Sequence, residues 1–193
     1  MQKPGLNFTE KMRAICEDMT SRIVALEHIH MPRVAVGFCQ TRSAVSHGVY
    51  ASLTPMRFEN GSLETERRGR RYTMQRLLAP DGGEFLYMLN FYVPRFLMTD
   101  FKDKLVTTVH ELLHIGEKFD GDIRRFEGRC YAHSGSQKNF DAYAEQLAGL
   151  WLAQKPPAEL YEFLHDDYPT LVAKHGRIFG QKLPVPRLIR VKN

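Results

Sequence analysis

His110-Glu111-Leu112-Leu113-His114 is an H-E-x-x-H sequence, and it is the stretch of this chain best suited to chemistry. Two imidazoles four residues apart on a helix project from one face, one turn apart. That spacing lets both grip one Zn2+, with Glu111 close enough to take a proton from a water on the metal. Leu105, Val106, Val109, Leu112 and Leu113 give the segment an apolar side. The histidines are therefore expected at a cleft beside the core, where a carboxylate without a purpose would be costly.

A catalytic zinc takes three protein ligands and leaves one position open. The third ligand has three candidates. His133 lies 19 residues past His114, just before a predicted helix. Asp120 lies six past His114, and Glu145 sits on the next predicted helix. Glu117 occupies the glycine position of the extended H-E-x-x-H-x-x-G pattern, and no Met follows Met98, so a methionine turn cannot form. Asp141, one turn before Glu145, is placed to orient a ligating histidine. Tyr131, Arg124 and Arg125 follow the motif and are candidates to stabilise an oxyanion.

These side chains need elements to hold them. Phe8, Met12, Ile15, Met19, Ile23, Leu26 and Ile29 recur at helical spacing over 8–29. Alternation of Val34, Val36 and Phe38 predicts a strand over 33–40, and 48–58 reads as a second strand. Asn60-Gly61 predicts a tight turn into a third strand containing Tyr72, Met74 and Leu77. The aromatic run 84–93 predicts another strand, either a buried inner one or a sheet edge able to align an extended peptide. Asp100 suits the N-cap of a helix over 101–117 that carries the motif. A loop over 119–138 should lead to a helix over 139–154, ended by Pro156-Pro157. A short helix, 158–165, and a further helical turn over 171–174 precede an extended end. Strands followed by helices imply an α+β fold in one domain over 1–193. Residues 1–80 would supply a helix and strands, 84–154 the metal-site core, and 176–193 an extended basic tail.

The composition bounds the setting. Of 193 residues, 43% are hydrophobic and 25% charged, as in ordinary globular proteins. Cys16, Cys39 and Cys130 form no disulfide framework, which implies a reducing cytoplasmic compartment. No apolar segment has the length of a signal peptide or a membrane span, so a membrane partner is not expected. The net charge of +5 gathers in Arg67, Arg68, Arg70 and Arg71, and again in Arg177, Lys182, Arg187, Arg190 and Lys192. Such clusters serve either as a solvated hairpin and tail or as a nucleic-acid contact.

The motif, followed by Phe119-Asp120-Gly121-Asp122-Ile123-Arg124-Arg125-Phe126 and Tyr131-Ala132-His133, resembles small metallopeptidases of bacteria and their phages. It is also similar to the minimal zincin plan of SprT-like and WLM-type proteins. The resemblance covers roughly residues 84–154. It implies a zincin-like fold, with a small mixed or antiparallel sheet packed against the motif helix and a following helix. It implies His110, His114 and the later His133 as zinc ligands, with Glu111 as catalytic carboxylate. The expected function is zinc-dependent hydrolysis of a peptide or protein substrate, with Glu111 as general base. The alternative is a regulatory or nucleic-acid-associated module that acts on one specific partner, or in which zinc is structural.

Overall fold

The structure, a computed structural model, describes residues 5–41, 48–125 and 137–192. It is a mixed α+β arrangement in which helices cover a small sheet. A short strand β1 (Leu6–Asn7) leads directly into α1 (Phe8–Arg22). Asn7 caps that helix through its side chain, which accepts from the Glu10 amide at 3.4 Å. The apolar stripe of α1 is buried as its spacing predicts, but the helix ends at Arg22, not residue 29. Ile23 is extended, and a 3-10 turn over Val24–Leu26 follows. Successive β-branched side chains at Ile23 and Val24 disfavour another helical turn.

The central sheet has three strands: β2 (Val34–Gln40), β3 (Ala51–Pro55) and a later strand, 87–93, between them. The chain first leaves this sheet to form a hairpin, β4 (Glu64–Arg67) and β5 (Arg70–Met74). Arg68 and Gly69 both have positive φ (52° and 68°), the geometry of a two-residue hairpin turn. Asn60 and Gly61 do turn the chain, with φ of 56° and 71°, but ahead of β4, which begins at Glu64, so they are not the hairpin tip.

The returning strand is β6 (Tyr87–Val93), parallel to β2 and antiparallel to β3. It is the inner strand of the sheet. Of the two readings open for 84–93, the buried one holds, and β2 and β3 are the outer strands.

A 3-10 turn over Arg95–Met98 leads to α2 (Phe101–Leu113), the motif helix. Asp100 takes the N-cap position and Asp103 stands in the first turn, where a carboxylate suits the helix dipole. His114 caps the C-terminus, three residues earlier than the periodicity predicts. The chain is diverted there because Ile115 bridges Ile123 and the Gly116 amide donates to the Asp122 carbonyl at 3.2 Å.

Beyond the undescribed 126–136 comes α3 (Gln137–Ala153), followed by α4 (Ala158–Tyr161) and α5 (Tyr168–His175). A two-residue strand, β7 (Ile178–Phe179), pairs with β1. The extended end then contributes β8 (Leu188–Arg190), which pairs antiparallel with β5. No described helix is long and apolar enough to cross a membrane.

One core joins α1, the central sheet, α2 and α3. Phe8 lies at its centre, meeting Phe38, Phe91, Phe96 and Phe163 edge to face. Two buried polar ties fix the helices around it. The Trp151 indole donates to Asp18 at 2.7 Å, locking α3 to α1. The buried Lys104 ammonium donates to the carbonyls of Leu164 and Asp166 at 2.8 and 2.9 Å. It thereby satisfies the end of the 3-10 turn after α4 and holds α2 against it.

Candidate metal centre

The apolar side of α2 is buried through Leu105, Val109, Leu112 and Leu113, which turns His110, Glu111 and His114 toward β3 and α3. The two imidazoles converge. His110 Nε2 and His114 Nε2 are 3.1 Å apart, with ring centroids 4.8 Å apart and planes at 76°. Two nitrogens bound at 2.0–2.1 Å to one tetrahedral ion stand about 3.3 Å apart. The pair therefore fits a shared zinc with little adjustment.

α3 supplies the support. Asp141 Oδ1 accepts from His110 Nδ1 at 2.9 Å. A proton held on Nδ1 leaves the Nε2 lone pair for the metal and sets the ring's orientation. Asp141 thus contacts the outer nitrogen of His110, the position from which it could orient that ring. Phe140 holds both rings: His114 stacks on it at 4.9 Å and 19°, and His110 meets it edge-on at 4.8 Å.

Glu111 faces the sheet. Burial pushes its carboxyl well above the usual carboxylate range, to about 7, and a hydrogen bond from the Leu53 amide partly opposes that shift. β3 uses Ser52 and Thr54 as the ladder partners of Asn90 and Met88, so the Leu53 amide points outward from the sheet edge and reaches Glu111. A general base works best with a pKa near the working pH, and this carboxyl is placed in that range. A cleft of about 340 Å3 opens on His110 and Glu111, bordered by Gly48 to Ala51, Asp103, Val106, Thr107 and Asp141.

The far end of the motif is anchored through β6. The Tyr87 hydroxyl donates to the Asp122 carbonyl at 2.8 Å and accepts from the Gly121 amide at 3.0 Å. The Arg124 amide donates to the His114 carbonyl at 2.7 Å. The Asp122 carboxylate is buried and satisfied by Arg125 through two bonds of 2.8 Å, by the Asn60 amide and by the Ile123 amide. Nothing in the sequence pattern singles out Tyr87, Asp122 or the Leu53 amide. Tyr87 binds main-chain groups, Leu53 offers its own amide, and Asp122 gathers Arg125 with two amides, contacts that only the fold brings together.

The other candidates are placed as follows. Glu145 forms an ion pair with Lys102 on the exposed side of α2. Asp120 turns back on its own loop, its carboxylate accepting from the Asp122 amide at 3.1 Å. Arg124 lies 3.4 Å from Glu117, and Arg125 is held by Asp122, so both border a separate hollow beyond His114. His133 and Tyr131 lie outside the described residues. Among the described residues, no cluster of three His, Cys, Asp or Glu side chains surrounds a single point. The chain matches no family model, no curated protein and no solved structure.

Proposed function

We propose that this protein is a zinc-dependent metallopeptidase of zincin-like plan. The observation that carries the reading is the 3.1 Å convergence of His110 and His114 Nε2, with Asp141 on the outer nitrogen of His110 and Glu111 alongside. His110 and His114 would hold the ion. His133 is proposed as the third ligand and Tyr131 as the oxyanion donor, both on the sequence argument. Bound zinc would polarise the scissile carbonyl and bring the pKa of its water toward neutrality.

The chain's own residues would do the remaining work. Glu111 accepts a proton from the attacking water and delivers it to the leaving amine. Burial raises this carboxyl above the usual carboxylate range and the Leu53 amide orients it, which suits a group that takes and gives a proton. β3 is the sheet edge beside Glu111, and its outward main-chain groups are suited to align an extended substrate.

The 3.1 Å separation also suits an N–H···N hydrogen bond, so the test must include the metal itself. Purified protein should bind one zinc per chain, as read by metal analysis. His110→Ala combined with His114→Ala should abolish that binding. Glu111→Gln should retain zinc and lose at least about 100-fold in peptide hydrolysis, the scale of a lost general base. Wild-type cleavage by Glu111→Gln would remove the role given to this carboxylate.

A further inference from the structure

We propose that one face of the β4–β5–β8 sheet binds the phosphate backbone of a nucleic-acid duplex. Two basic clusters more than a hundred residues apart in the chain meet on this sheet. Residues 64–74 and 187–192 contain seven cations, six of them arginine, against Glu64 and Glu66.

The strand register sorts these charges. Arg67 faces Arg70, Thr65 faces Tyr72, and Tyr72 faces Arg190. The Val191 amide donates to the Arg71 carbonyl at 3.0 Å, which continues the ladder and sets Lys192 beside Arg70. Side chains alternate between faces along each strand. One face therefore carries Arg67, Arg70, Arg190 and Lys192 around Tyr72. Glu64 and Glu66 fall on the opposite face, opposite Thr73 and Arg71. The one ion pair among the described residues of this sheet, Arg71 with Glu64, is on that acidic face. The four cations of the basic face are exposed and, among the described residues, have no acidic partner on that face.

Two features select a duplex backbone. Arginine's planar fork matches phosphate oxygens better than lysine's single ammonium does. The distribution of apolar groups argues against a lipid surface. Met74, at the root of the basic face, packs toward Ala35, Met56 and Met88, while the free tip is Arg68-Gly69. A hairpin that inserted into a membrane would carry its apolar side chains at the tip.

This inference does not rest on the metal site, and its test is independent of hydrolysis. Full-length protein is titrated with a short fluorescent DNA duplex across about 50–200 mM salt. Four phosphate contacts predict a log–log slope of about −3.6, which is about a 150-fold loss of affinity over that range. Changing Arg67, Arg70, Arg190 and Lys192 together to Gln should flatten the slope. Each single change should lower it by about 0.9, which covers the case in which the fourfold variant does not fold. Arg71→Gln with Arg187→Gln removes two cations from the other face and should leave the slope intact. Glu111→Gln should bind DNA as wild type does. Three results would overturn the proposal: no binding to DNA, equal loss from the other-face variant, or tighter binding to phosphatidylserine vesicles than to the duplex.

Discussion

Around His110 the chain is held by side chains, and around Arg70 it is held by main chain. The motif helix lies on a core whose rings and aliphatic groups exclude water, with Phe140 packed on both imidazoles, Asp141 on His110 and the Leu53 amide on Glu111. The β4–β5–β8 sheet has Met74 as its contact with a small cluster, and β8 is exposed at every residue. Its order comes from ladder hydrogen bonds and a tight turn. The difference matches the tasks proposed for the two regions. A metal site needs donors held to a fraction of an ångström. A phosphate-binding face needs charge on one side and tolerates movement.

The contrast is sharpest in stability. Phe91 is fully buried in β6 against Phe8 and Phe96. Phe91→Ala should cost about 3–5 kcal/mol, the range for deleting a core aromatic ring. Tyr72 is a half-buried cross-strand residue on the basic sheet. Tyr72→Ala should cost about 1 kcal/mol or less. Urea unfolding of both variants reads the difference, and similar costs would mean that the sheet is not peripheral to the fold.

The same contrast explains what could be read from the sequence. Period-3.6 apolar spacing located α1, α2 and α3, because each buries one stripe against a common core. Alternation located β2, the run 48–58 contained β3, and the aromatic run marked β6 as a strand without fixing its neighbours. The hairpin tip was harder. Asn60-Gly61 carries the stronger turn signal, yet Arg68-Gly69 turns the hairpin, because Gly69 permits the positive φ needed beside Arg68. The pairing of β8 with β5 has no local signal, since its register is fixed between residues over a hundred positions apart. At the site, His110, Glu111, His114 and Asp141 were legible because helical spacing sets their directions. The Leu53 amide and the Tyr87 hydroxyl were not, because their partners are backbone groups of other elements.

A smaller effect separates orientation from ligation within the site. Asp141 touches His110 only through the nitrogen that points away from His114. Removing it should leave the ligand set complete but let the His110 ring turn and its proton change nitrogen. Asp141→Ala should therefore weaken zinc binding by about 10–100-fold without abolishing it. Competition with a chromogenic chelator measures this. A complete loss of zinc would promote Asp141 from positioning His110 to holding the metal, and no change would remove it from the site.

The smallest effect concerns the core's response to alkali. Cys16 is completely buried in α1, and burial pushes its thiol from an ordinary 9.0 up to about 12. The folded chain thus keeps this proton after the unfolded chain has lost it. Stability from this source is complete below about pH 9 and falls as pH rises toward 12. Between pH 8 and pH 10 the loss should be about 1.4 kcal/mol. Comparing wild type with Cys16→Ala at both values cancels the packing cost of the substitution, which is the same at each pH. The wild type should lose that much more stability than the variant. Thr73→Ala, on the basic sheet, removes no titrating group and should follow the wild type. If Cys16→Ala follows it too, the thiol is reached by water in the folded state, and the core beside α1 is looser than its burial implies.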